Sequence, residues 1–212
     1  TERIFMHGNN KTPRELREAI QAGVGRIIID SRIELKRISE IAGELGVVQP
    51  IYMRITPGVE ADTHQYIRTG CEDSKFGFTM RDDFAYGCVK DVLAAPNVRL
   101  AGLHCHIGSQ IFALHSYPEA VEVMVELMAR IEEGYGYRIE ELDVGGGLGV
   151  NYDVPENEPI PNFASLFSIV HNHLSVGDRE VHFEFGRSIV AECGELITKV
   201  LFNKTTATGR KL

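Results

Sequence analysis

Short apolar runs alternate six times along the chain with longer segments of helical periodicity. Residues 3–6 read as a strand ending in His7-Gly8-Asn9-Asn10. A helix opens next: Thr12 suits the N-cap, Pro13 suits the first turn, Glu15 completes a capping box, and Gly23 is its stop. Residues 26–30 are an almost wholly apolar strand ending in the carboxylate of Asp30, and the pattern predicts a helix over 31–45 stopped by Gly46. Further strands are predicted at 51–55, 98–107, 141–144 and 179–185, with helices at 81–95, 115–133 and 162–174. The polar stretch 56–78, carrying Pro57, Gly58, Gly70 and Gly77, is longer than an ordinary connection and points to function.

Apolar strands separated by amphipathic helices argue for a parallel sheet covered by helices, an α/β fold. Six units at regular spacing favour a TIM-type (β/α) barrel over an open doubly wound sheet. A closed barrel has eight units and typically about 250 residues, so residues 1–193 are expected to form an incomplete barrel of about six units. The chain begins inside an apolar segment with neither a signal peptide nor a start methionine, which reads as a cut. Residues 194–202 look like a strand with no helix behind it. Residues 194–212 are therefore expected to open a C-terminal β domain that is cut short.

Composition narrows the partners. The net charge of −8 and the scattered basic residues speak against nucleic acid or an anionic membrane. No apolar run approaches the roughly 18 residues of a membrane span. Cys71, Cys88, Cys105 and Cys193 form no CxxC pair and read as reduced, mostly buried thiols of a cytoplasmic protein.

In a barrel, polar residues at the C-terminal ends of strands mark the active site. Here each predicted strand ends that way: His7 and Asn9, Asp30, Arg54, His106 and Ser109, the Gly145-Gly146-Gly147 run, and Glu184 with Arg187. The three glycines either make a sharp turn or offer bare backbone N–H groups to an anion. His104 and His106 share one face of a strand. They are either a core histidine and a rim histidine or the HxH pair of a zinc-dependent barrel hydrolase, which would need further ligands. Glu184 either pairs with Arg187 to hold the loop, or faces a cationic heterocycle while Arg187 binds a phosphate or carboxylate. Lys75 and Lys11 lie in polar segments and read as solvated.

Several segments together resemble one family. His7-Gly8-Asn9-Asn10-Lys11, Thr56-Pro57-Gly58-Val59-Glu60-Ala61, Lys75-Phe76-Gly77-Phe78, the stretch from Gly102 through His104 and His106 to Ser109 and Gln110, Leu142 through Gly149, and Glu184-Phe185-Gly186-Arg187 resemble diaminopimelate decarboxylases, in that family's order. The resemblance implies an alanine-racemase-like barrel that binds pyridoxal 5′-phosphate, followed by a C-terminal β domain. It implies a cytoplasmic homodimer acting on a small amino acid in lysine biosynthesis, a lyase with no resident metal. His106 would stack on the pyridoxal ring, Ser109 and Gly186 would lie near the phosphate, and Gly145, Gly146 and Gly147 would bind that phosphate. Glu184 would hold the pyridine nitrogen protonated, and Arg187 would contact cofactor and substrate carboxylate. In place of the family's usual proline stands Phe185. The family's Schiff-base lysine would lie before His7, so this chain alone is expected to be inactive, as a non-catalytic barrel fragment would be.

Overall fold

The computed structural model describes residues 1–59, 75–152, 163–174 and 177–211. Its strands are β1 (Phe5–Met6), β2 (Arg26–Ile29), β3 (Gln49–Thr56), β4 (Phe78–Thr79), β5 (Val98–Cys105), β6 (Glu141–Asp143) and β7 (Glu180–His182). Its helices are α1 (Pro13–Gln21), α2 (Arg32–Leu45), α3 (Phe84–Ala94), α4 (Ser116–Tyr135), α5 (Phe163–His173) and the single turn α6 (Arg187–Val190). Among the described residues no helix is long and apolar enough to cross a membrane.

Six strands pair in parallel in the order β1-β2-β3-β5-β6-β7, while β4 pairs with the end of β3. Chain order and spatial order coincide, without the reversal that defines a doubly wound sheet. The sheet also curls. Arg26 on β2 reaches Glu141 on β6 with two hydrogen bonds of 2.8 and 2.7 Å. The Phe5 ring on β1 lies 5.2 Å from the His182 ring on β7, between the first and last strands. This is an incomplete TIM-type barrel of six parallel strands with helices outside.

The curl explains why the strands read as continuous apolar runs. On β2, Ile27 and Ile29 join the large core between sheet and helices, whereas Ile28 faces inward with Tyr52, Ala101 and Phe5. Both faces of the strand are covered, so no polar alternation survives. The Tyr52 hydroxyl donates to Glu141 at 2.5 Å, so the buried Glu141 carboxylate is neutralised by Arg26 and hydrogen-bonded at the foot of the barrel.

Local signals hold where local chemistry decides. Thr12 and Glu15 form the reciprocal capping box of α1; Ser31 caps α2, and Gly46 closes it at φ 67°. Helix α3 starts at Phe84, later than predicted, because Asp82 and Asp83 sit in the left-handed region within the 3-10 turn Arg81–Asp83. The predicted strand over 194–202 is not formed. Leu196, Ile197, Leu201 and Phe202 are 78–92% exposed, and among the described residues the tail makes only one isolated bridge, Thr205 to Lys211. A strand needs an edge to pair with, and none reaches these residues. Cys88 and Cys105 are buried free thiols and Cys193 is an exposed one. Cys71, Asn162 and residues 60–74 of the long loop lie outside the described residues.

Candidate active site

The strand ends bring most of the predicted rim residues together, with Glu184 at their centre. It follows β7, and its carboxylate lies between two imidazoles: Oε1 contacts His7 Nε2, and Oε2 accepts a hydrogen bond from His104 Nε2 at 3.1 Å. Burial alone would raise the Glu184 carboxyl, but the contacts from His104 and His7 outweigh it and hold the group well below the usual carboxylate range. His104 is 1% exposed, and burial pushes its pKa down, so it meets Glu184 as a neutral N–H donor. Its other ring nitrogen, Nδ1, is buried without a hydrogen-bond partner among the described residues. Glu184 does not pair with Arg187; its carboxylate oxygens contact the two histidines.

Next to it, β6 runs into the glycine turn. Gly145 and Gly147 have φ of 73° and 101°, which side chains rarely tolerate. Gly146 passes so close to β7 that an added Cβ would lie 2.0 Å from the Glu184 carbonyl oxygen. The turn is held from three sides. Asp143 Oδ1 accepts from Gly145 N–H at 2.8 Å, Gly145 O accepts from Glu184 N–H at 2.9 Å, and Tyr117 on α4 donates to Gly146 O at 3.1 Å. His106 Nδ1 faces the Gly146 N–H at 3.4 Å. Burial, then the neighbouring His104 and Arg54, lowers the His106 pKa to about 4, so the ring is neutral. The Gly145 N–H is held by Asp143 at 2.8 Å and the Gly146 N–H only by the longer 3.4 Å contact with His106, so Gly146 and Gly147 are the donors better able to turn toward an anion.

On the outer side of the turn, Arg187 donates to Ser109 Oγ at 3.2 Å and to the Tyr152 hydroxyl at 2.9 Å. Arg54 is buried and stacks 4.2 Å from the Phe76 ring centroid; burial lowers its pKa against the pull of Asp30 and Glu184. Asp30 accepts from Gly77 N–H at 2.7 Å, which ties the end of the long loop to the rim. Lys11 is not solvated. It is 4% exposed, donates to Ile28 O at 2.7 Å and to Gly8 O, and pairs with Glu34 at 2.9 Å, pinning the His7–Lys11 segment to β2 and α2. Lys75 is exposed, as expected, and lies over the Phe76 ring. Asn9 is exposed, apart from the cluster.

Sequence reasoning missed Asp143, Tyr117 and Tyr152. Asp143 read as part of a strand; the tyrosines sit in segments whose local pattern says nothing of the rim. The geometry gives the zinc reading of His104 with His106 no support. His104 turns to Glu184 and His106 to the glycine turn, so the HxH pair does not converge. A set whose ligand atoms do lie within 4.8 Å of one another is His7, His104 and Glu184. The donors suit an organic cofactor better: an ionised carboxylate for a cationic ring nitrogen, a neutral imidazole beside it, and Arg187, Ser109 and backbone N–H groups for a phosphate.

Comparison with known proteins agrees. Residues 1–191 match the family model of the pyridoxal-dependent decarboxylases, pyridoxal binding domain. The chain is 44% identical over 178 residues to diaminopimelate decarboxylase of Mycobacterium leprae, spanning 81% of this chain and 38% of that protein. It is 39% identical over 202 residues to the Halalkalibacterium halodurans enzyme of the same name, spanning 91% and 45%. The crystal structure of Helicobacter pylori diaminopimelate decarboxylase complexed with L-lysine superposes with a TM-score of 0.83 at 34% identity, over 96% of this chain and 50% of that one. The chain thus spans half or less of the length of each of these relatives.

Proposed function

The chain belongs to the pyridoxal-dependent decarboxylase family, as its pyridoxal binding domain, and on that premise we propose that the protein converts meso-2,6-diaminopimelate to L-lysine and CO₂ with pyridoxal 5′-phosphate. The observation that carries this reading is Glu184: a carboxylate kept ionised by two imidazoles on the rim that also holds the glycine turn and Arg187. The likeness to several bacterial enzymes of that name supports the substrate. A cytoplasmic homodimer, with residues 194–212 opening a second, β-rich domain, belongs to the same proposal.

Each residue has work that follows from its surroundings. Glu184 would take the protonated pyridine nitrogen; a carboxylate has lone pairs to spare beyond the two histidine contacts. When bound, the cofactor supplies an electron sink for the pair of electrons left by departing CO₂. His106, neutral and with its Nδ1 edge toward the Gly146 N–H, would cover one face of the ring and keep water from it. Gly146, Gly147, Ser109 and Arg187 would hold the phosphate, Gly186 giving the backbone room before Arg187. Arg187, exposed at the rim, is also placed to meet the substrate carboxylate. Lys11 is sequestered by Glu34 and Lys75 is out in solvent, so neither is offered to the cofactor's aldehyde.

The test is Glu184→Gln in the full-length protein. Turnover should fall by about 2–4 kcal/mol in the barrier, the scale of removing one preorganised electrostatic group, while melting temperature and cofactor binding change little. Near-normal turnover per folded molecule would remove Glu184 from the chemistry and this reading with it.

A further inference from the structure

The end of β6 carries a carboxyl that the proposed chemistry does not use. Asp143 is 1% exposed and faces the inside of the sheet, level with His104 on β5 and His182 on β7. One oxygen, Oδ1, accepts the Gly145 N–H, and the side chain lies beside Glu184, which follows the strand paired with β6 and whose N–H donates to Gly145 O. Two carboxyl groups side by side cannot both ionise cheaply, so the pair keeps one proton. Which of them holds it follows from their partners. Glu184 is served by His7 and His104, whereas Asp143 receives one backbone N–H.

We infer that Asp143 is a positioning residue, carrying the shared proton, which it donates to Glu184 while it accepts the Gly145 N–H, so that one side chain sets both the charged carboxylate and the glycine turn. The inference rests on the reading of Glu184 and the turn as cofactor contacts. A neutral donor steadies the charge on Glu184 without adding a second negative charge beside it. The groups that face Asp143 are Tyr52 from β3, His104 from β5, and His182 and Glu184 from β7, while the Cys105 thiol lies behind the strand in the outer core and Arg54 acts on Glu184. His7 on β1 acts through Glu184, and Glu141 lies two residues below on β6 itself. Burial first, then the charge of Glu184, raise the Asp143 pKa to about 8.

Two substitutions and one titration test this. Asparagine copies the protonated acid: its amide oxygen can accept from Gly145, and its NH₂ can donate to Glu184. Alanine does neither. In the full-length protein, Asp143→Ala should weaken pyridoxal phosphate binding by about 10–100-fold, the scale for partners that orient a binding group, and D143N should stay near wild type. In the cofactor-free protein labelled with carboxyl-¹³C aspartate, one aspartate should remain protonated at neutral pH and titrate near 8. That signal should be absent in D143N, and Glu184→Gln should move its midpoint down. D143N behaving like D143A, or no aspartate protonated at neutral pH, overturns the inference. Should D143A not fold, the titration and its response to Glu184→Gln still decide. A wild-type protein that binds no pyridoxal phosphate would instead defeat the functional reading, a result the cofactor-free titration keeps separate.

Discussion

Asp143 and Glu184 show what single residues on this rim reveal and conceal. Glu184 was visible in the sequence because a carboxylate closing an apolar strand demands a partner. Asp143 was not, because a carboxylate inside such a strand looks the same whether its role is functional or structural, and its partner lies on the next strand. For the same reason the sequence offered Arg187 as one possible partner of Glu184, three residues of chain being easier to see than a fold. The raised Asp143 pKa fixes a sign. Stability from this group is complete below the unfolded value of about 3.9 and is lost as pH rises through about 8. D143N should therefore flatten the decline of melting temperature across that window. Gly146 makes a sterically sharper case. A Cβ there would meet the backbone of Glu184, which cannot swing aside as a side-chain tip can. Gly146→Ala is expected to cost about 1–3 kcal/mol in urea unfolding, with displacement of Glu184 and loss of phosphate affinity. A fully stable Gly146→Ala protein would show that the turn yields more easily than its packing implies.

Among the elements, helix ends were legible and tethers were not. The capping box of α1 and the Ser31 and Gly46 caps of α2 depend on neighbours within four residues, so the sequence states them directly. Lys11 depends on Glu34, which reads as an ordinary first-turn acid of α2 but turns back to pair with Lys11 and to accept the Asp30 N–H at 2.8 Å. Burial raises the Glu34 carboxyl and Lys11 opposes that rise. Removing the lysine leaves a buried acid without its cation, so Lys11→Met should destabilise by about 3–5 kcal/mol. Adding Glu34→Gln should return part of the loss. An additive double mutant, read from urea midpoints at constant slope, would mean the two do not act as a pair.

For the whole molecule, the alternation of strands and helices announced a barrel, but not how far its sheet curls. The curl is carried by pairs such as Arg26 with Glu141 and Phe5 with His182, whose members lie on strands that do not adjoin. The strand expected over 194–202 is not formed because a β-prone composition describes what a segment could pair with, not whether an edge is there. Its exposed Leu196, Ile197, Leu201 and Phe202 should make this chain self-associate. Replacing all four with serine should lower the mass seen by light scattering without lowering the melting temperature; an unchanged mass would place the sticky surface elsewhere. The contact of His7 with Glu184 has a consequence in time. It links the residues that follow β1 and β7, the two ends of the strand order, and such long-range contacts close last because a long loop must be ordered first. As the chain leaves the ribosome, each strand–helix unit can settle as it emerges, yet His7 and His104 have no carboxylate between them until β7 and Glu184 have been made. A chain halted just before that point would have most of its sheet and still be chemically silent.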